Sequence, residues 1–509
     1  MSVYKASLYN YLFNSINSIV VIINGIILVP LYFHYMPMSV YGAWLASGNL
    51  MAMIGLFGGG FAGVITQKMA EAISRGEKQH FLELAGANIM TAAIIAVLIF
   101  STAMIVSSFV PSIVNIEMEY AFDIQTAFQV SALATSLAVF VSLFGAFPQV
   151  WQETRQVGII NVFVNILGIL ATVVTLLLGF GVVSLPLGYL VRAVMNLLLQ
   201  GVWIISYWKK NEPRSPIFKW STIPYILKEN ALPFAANIGG VLVNHSQSLI
   251  IASFMTPALA AIFDITGKVA MCLFNFLAMA KGSFFALLSL TFGKGDTTES
   301  SRVSNTIIQY YSIFMTAIIV YSVLFSKTII HYWVGLDKFG GDWLLLVIVL
   351  SMAVTQYRGM LNDFLFSGGQ IARSAKYDIA SMCIYMVILF ATIHFINAYS
   401  IPVSMFVTNI LFVFLYLLQI KKYLRLNINK MRQHMLYNAI ITLPFMIAYF
   451  VMPLDCTNIV LQSFVFVLTT MLLLMLLGFV NKSAYVLLRN KLIYKHYDSY
   501  NCFRKRMRP

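Results

Sequence analysis

Residues 84–110 read LAGANIMTAAIIAVLIFSTAMIVSSFV, 27 positions without a charged side chain. As a helix, such a run spans about 40 Å at ~1.5 Å per residue, enough to cross a hydrocarbon core of about 30 Å. Lipid offers no partner to backbone N–H and C=O groups, and a helix satisfies them within the segment. The stretch therefore reads as a membrane-spanning helix.

Working outward, the same pattern recurs along the chain. Spans are expected at residues 12–33, 43–64, 84–110, 126–147, 158–180, 182–208 and 231–255. Seven more follow at 257–280, 303–325, 343–366, 379–398, 401–420, 436–451 and 459–480. The 509 residues are 60% hydrophobic and only 10% charged, with a mean hydropathy of +0.83; soluble domains carry about 25% charged residues. The expectation is an all-α polytopic membrane protein of about 14 transmembrane helices. Only Lys5 precedes the first span, which is longer than a signal-peptide core and is followed by HYMPMSVYG rather than a small-residue cleavage site. It reads as retained.

The net charge of +15 does not point to nucleic acid, because its placement follows the membrane. Of the 33 basic residues, 27 fall in alternate loops beginning with the N-terminus, or in the tail; the opposite loops hold Lys327 and Lys338. Lys and Arg accumulate in cytoplasmic loops, so both termini are expected there. The four cysteines, at 272, 383, 456 and 502, show no metal-ligand spacing, and no cofactor is expected. Gly58, Gly60 and Gly63 satisfy GxGxxG, but they lie inside a span with no strand before them and read as close helix packing. No P-loop, HExxH or GxSxG occurs.

Weak internal similarity recurs at nearly one offset. Asn17 and Asn24 correspond to Asn237 and Asn244, Gly76 and Glu77 to Gly295 and Asp296, and Gln152 and Arg155 to Gln370 and Arg373. This divides the chain into a six-helix half at 1–210, a cytoplasmic linker at 211–230, a second six-helix half at 231–425, and two added helices with a basic tail at 426–509. Six is even, so the halves are parallel repeats, expected around a central cavity.

Ionisable and amide groups inside spans are costly and mark candidate function. Asn24 lies on a polar stripe of the first span, and Asn237 and Asn244 on that of the seventh, where NHSQS interrupts an apolar run. Interhelical hydrogen bonding and cavity lining both remain open for these amides. Arg192 heads a stripe with Asn196 and Gln200, and in YRGMLNDF Arg358 shares a face with Asn362. Lys268 lies four residues after Asp264, close enough to neutralise it, while Lys281 is placed to snorkel. The spans hold Arg192, Lys268, Lys281 and Arg358 against Asp264 and Asp363, an excess that suits an anionic substrate. The candidate substrate-binding residues are Arg192, Lys268, Arg358, Asn196, Asn24, Asn244 and Asn237; no metal ligands are expected.

Four stretches, YGAWLASGNLMAMIGLFGGGFAGVITQKMAEAISRGEKQHF, GAFPQVWQETRQVGIINVFVNILG, SLIIASFMTPALAAIFDITGKVA and FLFSGGQIARSAKYDIA, resemble the polysaccharide-transport, Wzx-type branch of the multidrug/oligosaccharidyl-lipid/polysaccharide exporter superfamily. The resemblance covers nearly the whole chain. It implies a flippase in the bacterial cytoplasmic (inner) membrane, carrying undecaprenyl-pyrophosphate-linked oligosaccharide, such as an O-antigen or related repeat unit, from the cytoplasmic to the periplasmic leaflet by alternating access. The partners it implies are that lipid-linked substrate, membrane lipid, a polysaccharide polymerase and a chain-length regulator. Lys268 sits where relatives often carry a basic residue. Many relatives have an Asp just before the LII run of span seven, whereas this chain has no carboxylate there. Coupling to a proton or sodium gradient would then fall to Asp264, Asp363 or His245. The competing readings are an ion-coupled drug exporter of the same fold, which calls for an acidic cavity, and a membrane glycosyltransferase or ligase, which calls for outer carboxylates.

Overall fold

The computed structural model describes residues 13–451 apart from 14–15, 18, 21–23, 26, 59–60, 213, 229–233, 235–241, 243–244 and 294–296. The described residues are almost entirely helical, and there is no strand among them. The principal helices are α1 (Met38–Ile54), α2 (Phe61–Ser74), α3 (Lys78–Ser107), α4 (Met118–Phe144), α5 (Thr154–Leu177), α6 (Ser184–Asn211), α7 (Gln247–Phe254), α8 (Pro257–Gly293), α9 (Thr297–Trp333), α10 (Asp342–Ser367), α11 (Ile371–Ile396), α12 (Ser400–Gln419) and α13 (Ile428–Val451). Among the described residues, eight helical segments are long and apolar enough to cross a membrane, and the longest, Arg373–Leu424, contains both α11 and α12. The expected all-α polytopic fold is what the chain adopts.

The clearest departure among the described residues is at the second expected span. The stretch at 43–64 is two helices, because α1 gives way to a 3-10 turn over Gly55–Gly58 before α2 begins. Glycine there permits close packing as well as the break: a Cβ added at Gly58 would lie 2.5 Å from Val139 Cγ1 on α4. Between α2 and α3 the chain reverses at Gly76, whose φ of +74° is one that L side chains rarely adopt.

The chain forms two compact units. The first comprises residues 1–265, 333–340 and 375–401. In it α4 packs against α1, α3 and α6, and α5 lies along α6. Asn88, fully buried, ties α3 to α4 by donating to the Leu143 carbonyl at 3.0 Å. At Gly42 the backbone of α1 meets the start of α8 so closely that an added Cβ would lie 1.7 Å from the Pro257 carbonyl oxygen.

The second unit comprises residues 266–332, 341–374 and 402–509. Here α9 and α13 run parallel in register: the Asn427 N–H donates to Ser301 Oγ at 3.3 Å, and Asn438 Nδ2 to the Ser312 carbonyl at 2.8 Å, both pairs 126 residues apart. Asn438 also donates to Thr316 Oγ1 at 2.6 Å, so α13 is pinned into this unit by a buried amide.

Candidate functional site

Asn161, Asn165, Gly168 and Thr172 lie on one face of α5, and Gly188, Arg192, Asn196 and Gln200 recur every fourth residue on α6. The faces meet where both helices carry glycine. A Cβ at Gly188 would sit 1.8 Å from Thr172 Oγ1 and 2.7 Å from the Gly168 carbonyl oxygen; one at Gly168 would sit 3.1 Å from Arg192 Cβ. Small residues let helix backbones approach in membranes. That approach brings the polar side chains of the following turns into register.

One turn along, Arg192 donates through Nη1 to Asn165 Oδ1 at 3.2 Å, and Asn165 Nδ2 donates to Asn17 Oδ1 at 2.9 Å. The order follows from chemistry. A guanidinium only donates, so Asn165 must turn its oxygen toward Arg192 and its NH2 toward Asn17. The Arg192 guanidinium also lies 5.4 Å from the centre of the Tyr189 ring, which stacks on Trp44 at 6.3 Å. Further along, Gln200 Nε2 donates to Asn161 Oδ1 at 2.9 Å and to Asn196 Oδ1, while Asn196 Nδ2 donates to Asn161 Oδ1 at 3.2 Å.

These two clusters differ in what they leave over. The Asn161–Asn196–Gln200 triad is closed, with Gln200 only 3% exposed, and serves helix contact. Arg192 is half-buried and, among the described residues, donates to no carboxylate. Its five N–H donors far outnumber the single acceptor Asn165 offers. A cation in that state can take an anion through charge-assisted, paired hydrogen bonds.

The first unit holds other candidates. Asn24 is half-buried, and its Oδ1 has no hydrogen-bond partner among the described residues. His245 Nδ1 is 2.8 Å from Asn49 Oδ1, which joins α1 to the residues just before α7. Asp264 is half-buried within electrostatic reach of the Tyr41 hydroxyl. Asn237 and Asn244 lie outside the described residues. In the second unit Lys268, on α8, and Arg358 and Asp363, on α10, are half-buried, and Asn362 accepts from the Ser374 hydroxyl. Lys281 falls within α8.

The chain matches the polysaccharide biosynthesis protein family over residues 7–292. It belongs to that family. The match takes in Arg192, its α5 partners, Asp264 and Lys268. No curated protein matches the chain. Among solved structures, the chain is similar to the lipid II flippase MurJ in an inward closed conformation, with TM-score 0.71 and 11% identity, covering 92% of this chain and 98% of that one. It is also similar to an inward-facing multidrug resistance MATE family transporter of the MOP superfamily, with TM-score 0.64 and 13% identity, covering 82% and 94%. At such identities the likeness is one of fold.

Asn17, Asn165 and Tyr189 complete the Arg192 site, and none of them is a sequence candidate for it. The four-three-four spacing from Asn161 to Thr172 is a polar stripe visible in NVFVNILGILAT. Its pairing with the stripe on α6 is not, because spacing along one helix does not say which neighbour it faces. The same applies to the second unit, where Tyr357 donates to Ser312 Oγ at 3.0 Å, Tyr311 to Gln356 Oε1 at 3.0 Å, and Asn409 to Thr355 Oγ1 at 2.7 Å.

Proposed function

We propose that this protein is a flippase that moves undecaprenyl-pyrophosphate-linked oligosaccharide from the cytoplasmic to the periplasmic leaflet of a bacterial inner membrane by alternating access. The observation that carries this reading is Arg192: a half-buried guanidinium, oriented by Asn165 and Tyr189, with no acidic partner among the described residues. A pyrophosphate entering the membrane must have cationic donors to offset desolvation, which costs several kcal/mol per ion. Arg358 and Lys268 are the further cations of the reading, and Asn24, Asn237 and Asn244 its amides toward sugar hydroxyls. Family membership supports a role in surface-polysaccharide assembly. The framework is two six-helix repeats at 1–210 and 231–425, joined by 211–230 and followed by 426–509. A proton or sodium gradient would act through Asp264, Asp363 or His245. The bias of 27 basic residues to one side orients both termini to the cytoplasm, with a polymerase and a chain-length regulator as partners downstream.

The test is movement of a fluorescent lipid-pyrophosphate oligosaccharide across proteoliposomes. An arginine–phosphate bond is worth about 1.5–3 kcal/mol, so Arg192→Ala is expected to slow flipping by roughly ten- to hundredfold. Arg192→Lys keeps the charge, loses the planar fork and retains part of the activity. Full flipping by an Arg192→Ala, Arg358→Ala double variant overturns the reading. If the same protein instead exports cationic dyes, the drug-exporter alternative takes its place.

A further inference from the structure

The segment that leaves α6 is docked on the first unit by its backbone, with its bulkiest side chains left outside. Trp208 Nε1 donates to the Arg214 carbonyl at 2.9 Å, and the Ile217 N–H donates to the Leu82 carbonyl on α3 at 3.0 Å. Gly86 makes the second contact possible, since an added Cβ would lie 2.1 Å from the Ile217 carbonyl oxygen. Lys219 reaches Glu83 at 3.6 Å. A short helix over 222–228 then buries Thr222, Ile223 and Ile226, and the Lys68 ammonium on α2 stands 5.6 Å from the centre of the Tyr225 ring.

The opposite face is unlike a soluble surface. Phe218 and Trp220 are 59% and 71% exposed, and Tyr225 and Leu227 are also exposed. Interleaved with them are Lys209, Lys210, Arg214, Lys219 and Lys228, all exposed, against Glu212 in the same stretch. Among the described residues only Lys219 of these five makes an ion pair. Exposed apolar patches of this kind mark an interaction surface. The segment begins at the end of the membrane-spanning helix α6, which places it at headgroup depth, where aromatic rings concentrate and basic residues attract anionic lipid.

We propose that residues 209–228 form a strap that binds an anionic phospholipid leaflet. Phe218, Trp220 and Leu227 enter the headgroup boundary, while Lys209, Lys210, Arg214 and Lys228 pair with lipid phosphates. The backbone contacts to α3 hold the strap in place, so lipid binding needs no folding of the segment. This inference stands apart from the transport reading, since it concerns bulk lipid and not the cargo.

The full-length protein is placed in nanodiscs of phosphatidylcholine alone, or with part of that lipid replaced by phosphatidylglycerol. The Trp220 signal is the difference in emission between wild type and Trp220→Phe. Brominated phosphatidylglycerol is expected to quench that signal strongly. Quenching should fall several-fold in Lys209→Gln, Lys210→Gln, Arg214→Gln, Lys228→Gln protein of unchanged melting temperature, and also at high salt. Equal quenching by brominated phosphatidylcholine overturns anion recognition. Quenching by aqueous acrylamide with none from brominated lipid overturns membrane seating altogether. Added inorganic pyrophosphate should leave the lipid signal unchanged; its abolition would assign the basic groups to a soluble phosphate and overturn the proposal.

Discussion

Arg192 donates to Asn165 at 3.2 Å across the crossing of α5 and α6, and Asn165 in turn donates to Asn17 at 2.9 Å. A neutral amide therefore stands where a carboxylate would silence the cation. Asn165→Asp supplies that carboxylate at pairing distance and keeps the side-chain volume. The expected outcome is loss of lipid-pyrophosphate flipping comparable to Arg192→Ala, with melting temperature held or raised by the new ion pair. Wild-type flipping in Asn165→Asp would show that Arg192 does not need its charge available.

The same crossing depends on glycine. Gly188→Ala puts a methyl 1.8 Å from Thr172 Oγ1 and 2.7 Å from the Gly168 carbonyl, so the helices must part. Overpacking costs about 1–3 kcal/mol, more than the ~1 kcal/mol that Ala contributes over Gly in a helix. A lowered melting temperature in detergent is expected. Gly48→Ala, on α1 with nothing within 4 Å of the added methyl, is the control and should be neutral or slightly stabilising.

Asn438 ties α13 to α9 through bonds to the Ser312 carbonyl and Thr316 Oγ1. Asn438→Leu removes both and leaves Thr316 Oγ1 to its remaining bond, as donor to the Ser312 carbonyl at 2.9 Å. Interhelical hydrogen bonds of this kind in membranes measure about 0.6–1.7 kcal/mol. Thermal unfolding of the purified protein should shift down accordingly, and an unchanged transition would show that α13 is held by apolar packing alone.

Topology is tested by thiol labelling in a chain stripped of its native cysteines. The turn between α2 and α3 belongs to the basic side, and Arg75, an exposed partner of Glu71, is the position to use. Gly76 is unsuitable, because its φ of +74° strains any L side chain. Arg75→Cys should resist an impermeant reagent in intact cells, whereas Lys338→Cys, on the opposite side, should react. The reverse pattern would invert the orientation.

Much of the fold is legible in the residues because lipid imposes a one-dimensional rule: every crossing must be a long apolar helix with its backbone bonds satisfied inside it. The run at 84–110 appears as α3, and the runs at 158–180 and 343–366 as α5 and α10, with no end shifted by more than six residues. The exception at Gly55–Gly58 has a local cause. Hydropathy averages over a window and does not register a tight glycine turn between two apolar stretches.

The amino-acid sequence by itself determined the helices, their apolar faces and the side of the membrane its charges favour, since each depends on residues near one another in the chain. The polar stripe of Arg192, Asn196 and Gln200 was equally plain along α6. Only the tertiary structure decided that these three divide. Asn196 and Gln200 close on Asn161, while Arg192 meets one amide oxygen and keeps donors to spare. The physical reason is the approach of two backbones at Gly168 and Gly188, 20 residues apart in the chain. That contact sets which side chains of neighbouring helices meet, and so which polar groups are used up by packing and which remain for a ligand.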